Sequence, residues 1–168
     1  SSAPEVVQLP TVVEEKTVNR SSQNEGRWPM FRGNTLSTGV ADSDLPKDLA
    51  LDWTFDVIDG AFEATAAIVD GTVYIGDSYG KLYALRLMDG KRIWEYKVET
   101  GFVASPSVRD GRVYVGDIDG VFYCLDAETG TPIWQFNASA EIDSSANFHN
   151  DNVLIGSQDA TLYCLNAK

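Results

Sequence analysis

Beyond Trp53 the apolar residues gather in short runs, each closed by a polar turn, and the runs return at a fixed interval. The phrases VYIGDSYGKLYAL from Val73, VYVGDIDGVFYCL from Val113 and VLIGSQDATLYCL from Val153 stand forty residues apart. Gly76, Gly116 and Gly156 keep that spacing, as do Tyr83, Tyr123 and Tyr163. A β-rich unit repeating about every forty residues predicts a propeller blade. Each unit reads as four strands, placed in the first at Ala64–Val69, Val73–Asp77, Lys81–Arg86 and Arg92–Val98. Asp70-Gly71 and Asp110-Gly111 join the first two strands, and Asp-Gly between apolar runs is a strong hairpin signal. Tyr79-Gly80 and Asp119-Gly120 turn the second strand into the third, and Gly90 and Gly130 lead into the fourth.

The second and third strands do not alternate. LYAL, FYCL and LYCL put apolar groups on both faces, which suits a sheet sandwiched between two neighbours rather than one with a wet face. Gly76, Gly116 and Gly156 then mark places where backbones approach too closely for a side chain. Trp53, Trp94 and Trp134 recur once per unit in DWTFDV, IWEYKV and IWQFNA, and one Trp at a fixed place reads as a wedge between blades whose indole N–H finds an acceptor. Cys124 and Cys164 occupy equivalent slots, with Ala84 one repeat earlier. Stacked sheets lie about 10 Å apart, beyond disulfide reach, so small unbridged thiols are expected.

The chain divides into three parts. Residues 1–27 are polar and read as a flexible leader or tether, in which Val6, Val7, Val12 and Val13 offer at most a short strand. Residues 28–52, with Trp28, Met30 and Phe31 followed by Gly33, Gly39 and Pro46, read as a lead-in cap. Residues 53–168 are the repeats: an outer strand alone at Trp53–Val57, two complete units, and a last unit without its outer strand. The fold class is therefore all-β, a β-propeller of four-stranded antiparallel blades with three blade-equivalents present. Three blades do not close a ring, since four to eight is the usual range. The remaining blades come from the rest of a longer chain, the favoured reading, or from edge-to-edge self-association.

The stretches DGRVYVGDIDGVFYCL (Asp110–Leu125) and LDAETGTPIW (Leu125–Trp134) resemble the PQQ-like, BamB-type repeat family, whose repeats run G-x-V-Y-V-G, D-G-x-L-Y-A-L-D-A, T-G-x-x-x-W. The third copy departs most, with Ser157 in place of Asp and Ala160 in place of Gly. The resemblance implies one of two classes. One oxidises alcohols or sugars with pyrroloquinoline quinone and Ca²⁺. The other comprises non-catalytic extracytoplasmic scaffolds similar to BamB of the outer-membrane β-barrel assembly machinery, together with sensor domains of membrane receptors or kinases. WPMFRGN followed by DWTFDV looks more like the second, exported class. The cysteine pair that some quinoproteins set against the quinone is absent, because Cys124 and Cys164 are forty residues apart.

Charge narrows the partners. With 25 acidic and 13 basic side chains the net charge is −12, which disfavours nucleic acid. No run is long and apolar enough to span a bilayer. His149 is the only histidine and lies in a turn, without the neighbours of a metal site or a catalytic triad. Asp117-Ile118-Asp119-Gly120 has the opening carboxylates of a Ca²⁺ loop but sits in a hairpin, where turn chemistry explains it. No catalytic residue, metal site or cofactor is assigned. What remains are the loops between blades, Ile58–Glu63, Glu99–Val103 and Ser139–Asp143, in which Phe62, Phe102 and Ile142 read as packing. Between them Asp59, Glu63, Glu99, Glu141 and Asp143 form an acidic rim, the candidate site for a protein partner on a rigid scaffold.

Overall fold

The computed structural model describes residues 26–41 and 47–168. The leader reading for residues 1–27 falls almost wholly outside the described residues. Eleven strands form three antiparallel sheets and, among the described residues, there is no helix. Blade 1 consists of β1 (Ala67–Val69), β2 (Thr72–Gly76), β3 (Lys81–Arg86) and β4 (Arg92–Lys97). Blade 2 repeats it with β5 (Ser107–Arg109), β6 (Arg112–Gly116), β7 (Val121–Asp126) and β8 (Pro132–Asn137). Blade 3 has β9 (Asn147–His149), β10 (Asn152–Gly156) and β11 (Leu162–Asn166). Each sheet is a meander in sequence order, so the fold is an open, partial propeller.

The turns follow from local chemistry. Asp70 and Gly71 both take positive φ, 50° and 76°, as do Asp110 and Gly111 at 51° and 71°; this is the primed turn whose twist matches the flanking strands. The same irregularity of register falls between Ala84 and Leu85 and between Cys124 and Leu125. The repeat thus extends to backbone detail.

The core lies between blades. Leu82, Ala84, Tyr74 and Trp94 of blade 1 pack with Val113, Val115, Tyr123 and Leu125 of blade 2. One step on, Tyr114, Phe122 and Cys124 meet Val153 and Ile155, with Tyr163 and Leu165 at the margin. Burying a large apolar side chain contributes roughly 1.5–3 kcal/mol, so each blade is stabilised mainly by its neighbours. Trp28 pairs with Ile68 through both backbone bonds, 2.7 and 2.8 Å, and Val108 N–H donates to the Pro29 carbonyl at 2.6 Å. Met30 reaches the blade 2–blade 3 cluster. Trp28–Met30 therefore crosses the innermost strands of all three blades.

Four expectations need correction. The first strand of a blade begins at Ala67, not Ala64, because Thr65 N–H donates to Ser105 Oγ at 2.9 Å and a side chain takes the place of a ladder bond. Trp53–Val57 is not in a sheet, since no strand among the described residues lies beside it to supply a ladder. Dryness on both faces holds for blades 1 and 2 but not for β11, whose Leu162 is 71% exposed where Leu82 and Phe122 are 0% exposed. Gly156 is not a point of close approach: a Cβ there would meet Ser144 Oγ only at 3.6 Å, whereas at Gly76 and Gly116 it would lie 2.5 Å from Phe102 Cβ and 2.2 Å from Ile142 Cγ2. The last two corrections share one cause, the lack of a further blade against blade 3 among the described residues.

Candidate rim site

Antiparallel meanders send alternate connections to opposite ends of the blades. One end carries the inter-blade loops and the β2–β3 type turns; the other carries the tight hairpins such as Asp70-Gly71. At the first end each loop is stitched between two turns. Phe102 N–H donates to the Asp77 carbonyl at 2.9 Å and Ile142 N–H to the Asp117 carbonyl at 3.0 Å. Ser78, Ile118 and Gln158 N–H groups donate to Ala61, Gly101 and Glu141 carbonyls at 2.9, 3.1 and 2.9 Å. Phe102 and Ile142 are buried, while Phe62 is 37% exposed, no blade preceding blade 1 among the described residues.

Buried carboxylates hold these turns in shape. Asp77 Oδ1 accepts the N–H groups of Tyr79 and Lys81, both at 2.9 Å, and Oδ2 accepts the Tyr83 hydroxyl at 2.8 Å. Asp117 does the same for Asp119, Val121 and Tyr123, and also accepts Thr100 Oγ1 at 3.3 Å. Burial and then the adjacent carboxylate push the Tyr83 and Tyr123 hydroxyls well above the usual phenol range. In blade 3 the carboxylate moves along the turn: Ser157 replaces the buried Asp, and Asp159 accepts the Tyr163 hydroxyl at 2.6 Å and the Ser139 N–H at 3.0 Å. The repeated tyrosines are therefore half of a carboxylate–phenol pair. The sequence signal, Asp six residues before Tyr, was present in two copies.

Of the rim residues, Asp59, Glu63, Glu99 and Asp143 are exposed and Glu141 is half-buried. Asp59 takes positive φ, 56°. Glu63 and Asp143 line one open cavity of about 410 Å³ with Phe31, Thr65, Val103 and Ser105; Asp59, Glu99 and Glu141 do not line it. Gln158 Nε2 donates to Asp143 at 3.2 Å. Phe31, on the lead-in segment, was not foreseen as part of this mouth.

The two ends differ in how charge is compensated. Arg27–Asp70, Arg86–Asp89, Lys91–Asp89, Arg109–Asp110 and Lys168–Asp151 are ion pairs at the hairpin end. Among the described residues no ion pair involves Asp59, Glu63, Glu99, Glu141 or Asp143. An acidic surface without internal counter-charges attracts cationic groups.

The repeated tryptophans sit away from the rim. Trp53 Nε1 donates to the Leu87 carbonyl at 2.8 Å and Trp94 Nε1 to the Ala127 carbonyl at 3.0 Å. Their rings lie over Gly90 and Gly130, where a Cβ would come within 2.5 and 2.7 Å. Trp134 Nε1 is buried without a partner, the equivalent carbonyl at Ala167 being taken by Arg112 and Tyr114. Cys124 and Cys164 are free thiols, and burial pushes Cys124 up to about 11. His149 ends β9 at the surface. Among the described residues no helix is long and apolar enough to cross a membrane.

Among the described residues no three His, Cys, Asp or Glu side chains gather closely enough to hold a metal ion. Val103 occupies the place in blade 2 that Glu63 and Asp143 hold in the others.

Residues 46–168 match the family described as outer membrane protein assembly factor BamB. The chain is 36% identical over 58 residues to 1-butanol dehydrogenase (cytochrome c) of Thauera butanivorans, covering 34% of this chain and 8% of that protein. It is 27% identical over 100 residues to quinohemoprotein alcohol dehydrogenase ADH-IIG of Pseudomonas putida, covering 55% of this chain and 14% of that one. In structure it resembles BamB from Moraxella catarrhalis, with TM-score 0.59, 24% identity and coverage of 66% and 35%. It also resembles the Pseudomonas putida quinohemoprotein alcohol dehydrogenase, with TM-score 0.75, 24% identity and coverage of 87% and 26%. The chain thus spans well under two thirds of the proteins it matches, and likeness at this identity carries the fold alone. By the extent of its family match, the chain belongs to the PQQ-like repeat family of the BamB type.

Proposed function

We propose that these blades form a non-catalytic binding scaffold that presents its acidic rim to a protein partner outside the cytoplasm, in the periplasm or secreted. The observation that carries this reading is the contrast between the two ends. At the hairpin end Asp70, Asp89, Asp110 and Asp151 each have a cationic partner, whereas Asp59, Glu63, Glu99, Glu141 and Asp143 have no ion-pair partner among the described residues. A cationic partner surface would supply the missing charges. Opposite potentials steer encounter and set its salt dependence. The family match and the Moraxella BamB likeness support the scaffold reading.

The test is charge reversal at the two carboxylates that share the cavity. Glu63→Lys with Asp143→Lys lowers partner capture by about tenfold, corresponding to roughly 1.4 kcal/mol, and removes most of its salt sensitivity. Capture unchanged by the double reversal would overturn the rim assignment.

A second reading has its own support in the two dehydrogenase relatives. In it these blades are part of the wall of a larger quinoprotein alcohol or sugar dehydrogenase. Adding pyrroloquinoline quinone and Ca²⁺ tests it: retained quinone absorbance after gel filtration supports the enzyme and counts against the scaffold.

A further inference from the structure

Because the unit repeats, each copy is a control for any side chain that departs from the pattern. In the β2–β3, β6–β7 and β10–β11 turns the second residue is Ser78, Ile118 or Gln158, and the third is Tyr79, Asp119 or Asp159. Only Tyr79 and Ile118 are large and apolar. Tyr79 is 65% exposed and Ile118 39% exposed, so neither serves mainly to fill the core. Polar residues make the same turns in the sister copies, and Asp and Ser suit such turns better than Tyr and Ile do. Folding of the turn does not account for either residue.

The two flank a single loop at the seam of two complete blades. On one side Val98 N–H donates to the Gly80 carbonyl at 2.8 Å, and a Cβ at Gly80 would lie 2.1 Å from the Thr100 carbonyl oxygen. This sets Tyr79 beside Glu99 and Thr100. On the other side Ile118 N–H donates to the Gly101 carbonyl at 3.1 Å. Each turn is fastened to a buried carboxylate, Tyr79 N–H to Asp77 Oδ1 at 2.9 Å and Asp119 N–H to Asp117 Oδ1 at 3.1 Å. Apolar residues scattered singly over a surface are ordinary. A pair held on adjoining rigid turns is the arrangement that the central contact of an interface uses. Charge around the pair is graded along the blade. Lys81 and Lys97 face each other on β3 and β4, toward the outer margin. Glu63 and Asp143 share the cavity nearer the innermost strands and have no ion-pair partner among the described residues.

We propose that Tyr79 and Ile118 are the apolar anchors of the rim. The partner segment they receive carries an aliphatic or aromatic side chain, with lysine or arginine beside it on the side of Glu63 and Asp143. This rests on the rim reading and adds selectivity to it. The carboxylates attract any basic segment, whereas the anchors favour one that brings an apolar group to be buried with them.

The probe is a phage-displayed library of short random peptides, selected against the full 168-residue chain and followed by titration of the selected sequences as synthetic peptides. The selected sequences place an aliphatic or aromatic residue beside lysine or arginine. They bind at least about tenfold more weakly to Tyr79→Asp with Ile118→Ser. That double variant installs residue types the repeat already uses at these two positions, so its thermal midpoint is no lower than that of the parent chain. It also adds a carboxylate, so attraction by charge alone would hold the peptides at least as well. A lowered midpoint would assign the two residues to the fold and overturn the proposal, as would a library that yields no binder. Peptides held equally by the double variant also overturn the anchors. If those same peptides are lost by Glu63→Lys with Asp143→Lys, the rim reading stands without its anchors; if they survive that reversal too, both fall.

Discussion

Blades 2 and 3 are written in nearly the same words, VYVGDIDGVFYCL and VLIGSQDATLYCL, and they fold to the same register. Gly116 lies opposite Phe122 and Gly156 opposite Leu162. Their environments nevertheless differ. β7 is buried through four successive residues, whereas β11 alternates between exposed and half-buried. Backbone pairing is therefore encoded within each unit, while dryness is conferred by whatever lies against it. A propeller blade is an incomplete object, and the contrast between these two measures how much of its stability a neighbour supplies.

The glycines give the largest test. Gly116→Ala drives a methyl group to 2.2 Å from Ile142 Cγ2 and 2.8 Å from its carbonyl oxygen. The inter-blade loop has to shift, at a cost of about 3 kcal/mol. Gly156→Ala meets only Ser144 at ordinary contact distance and changes stability by less than about 1 kcal/mol. Urea unfolding of the two variants checks the difference; equal losses would show that blade 3 is as tightly covered as blade 2.

The turn carboxylates come next. Asp117 is buried and accepts four hydrogen bonds. Asp117→Asn exchanges a charge-assisted acceptor for an amide that cannot satisfy all four donors, at about 2–3 kcal/mol. Asp159→Asn, in the open blade, produces a smaller loss because water reaches the donors it abandons. If the order of these losses were reversed, the buried carboxylate would not be what holds the turn.

Much of this was legible in the chain because the signals were local and triplicated. Hairpin dipeptides, apolar runs and the Trp period placed β2, β3 and β4 to within a residue. The places that escaped depend on contacts distant in sequence. Trp53–Val57 has the composition of a strand but no neighbour, and no one-dimensional pattern shows a missing partner. The start of β1 was lost to a single hydroxyl, Ser105, forty residues away. The acidic residues of the rim were readable one by one. That Glu63 and Asp143 share a cavity, with Phe31 at its edge, was not, because the lead-in segment crosses three blades to place it there.

The alkaline limb of stability tests the covered blades. Burial, followed by nearby charges, raises the Tyr83, Tyr123 and Tyr74 hydroxyls and pushes Tyr114 up to about 12. A phenol raised in the folded state holds its proton after the unfolded chain has lost it. Its contribution is fully present below about pH 10 and disappears as pH rises through the folded value. The urea midpoint falls steadily above about pH 10, and Tyr123→Phe flattens that fall.

The acid limb reports on blade 3 and carries the smallest effect. Hydrogen bonding from Tyr163, with further help from the Ser139 and Thr161 N–H groups, lowers Asp159 to about 2. A carboxylate depressed in the folded state contributes above its unfolded value, and that contribution is lost as pH falls from about 4 toward the folded value. The side chain is open to water, so screening keeps the contribution small. Asp159→Asn therefore shallows the acid limb slightly between about pH 4 and 2. Should a neighbouring strand cover β11, water would be excluded from the Asp159–Tyr163 pair. The same substitution would then shallow the acid limb further, which turns a small pH effect into a reporter of whether blade 3 is covered.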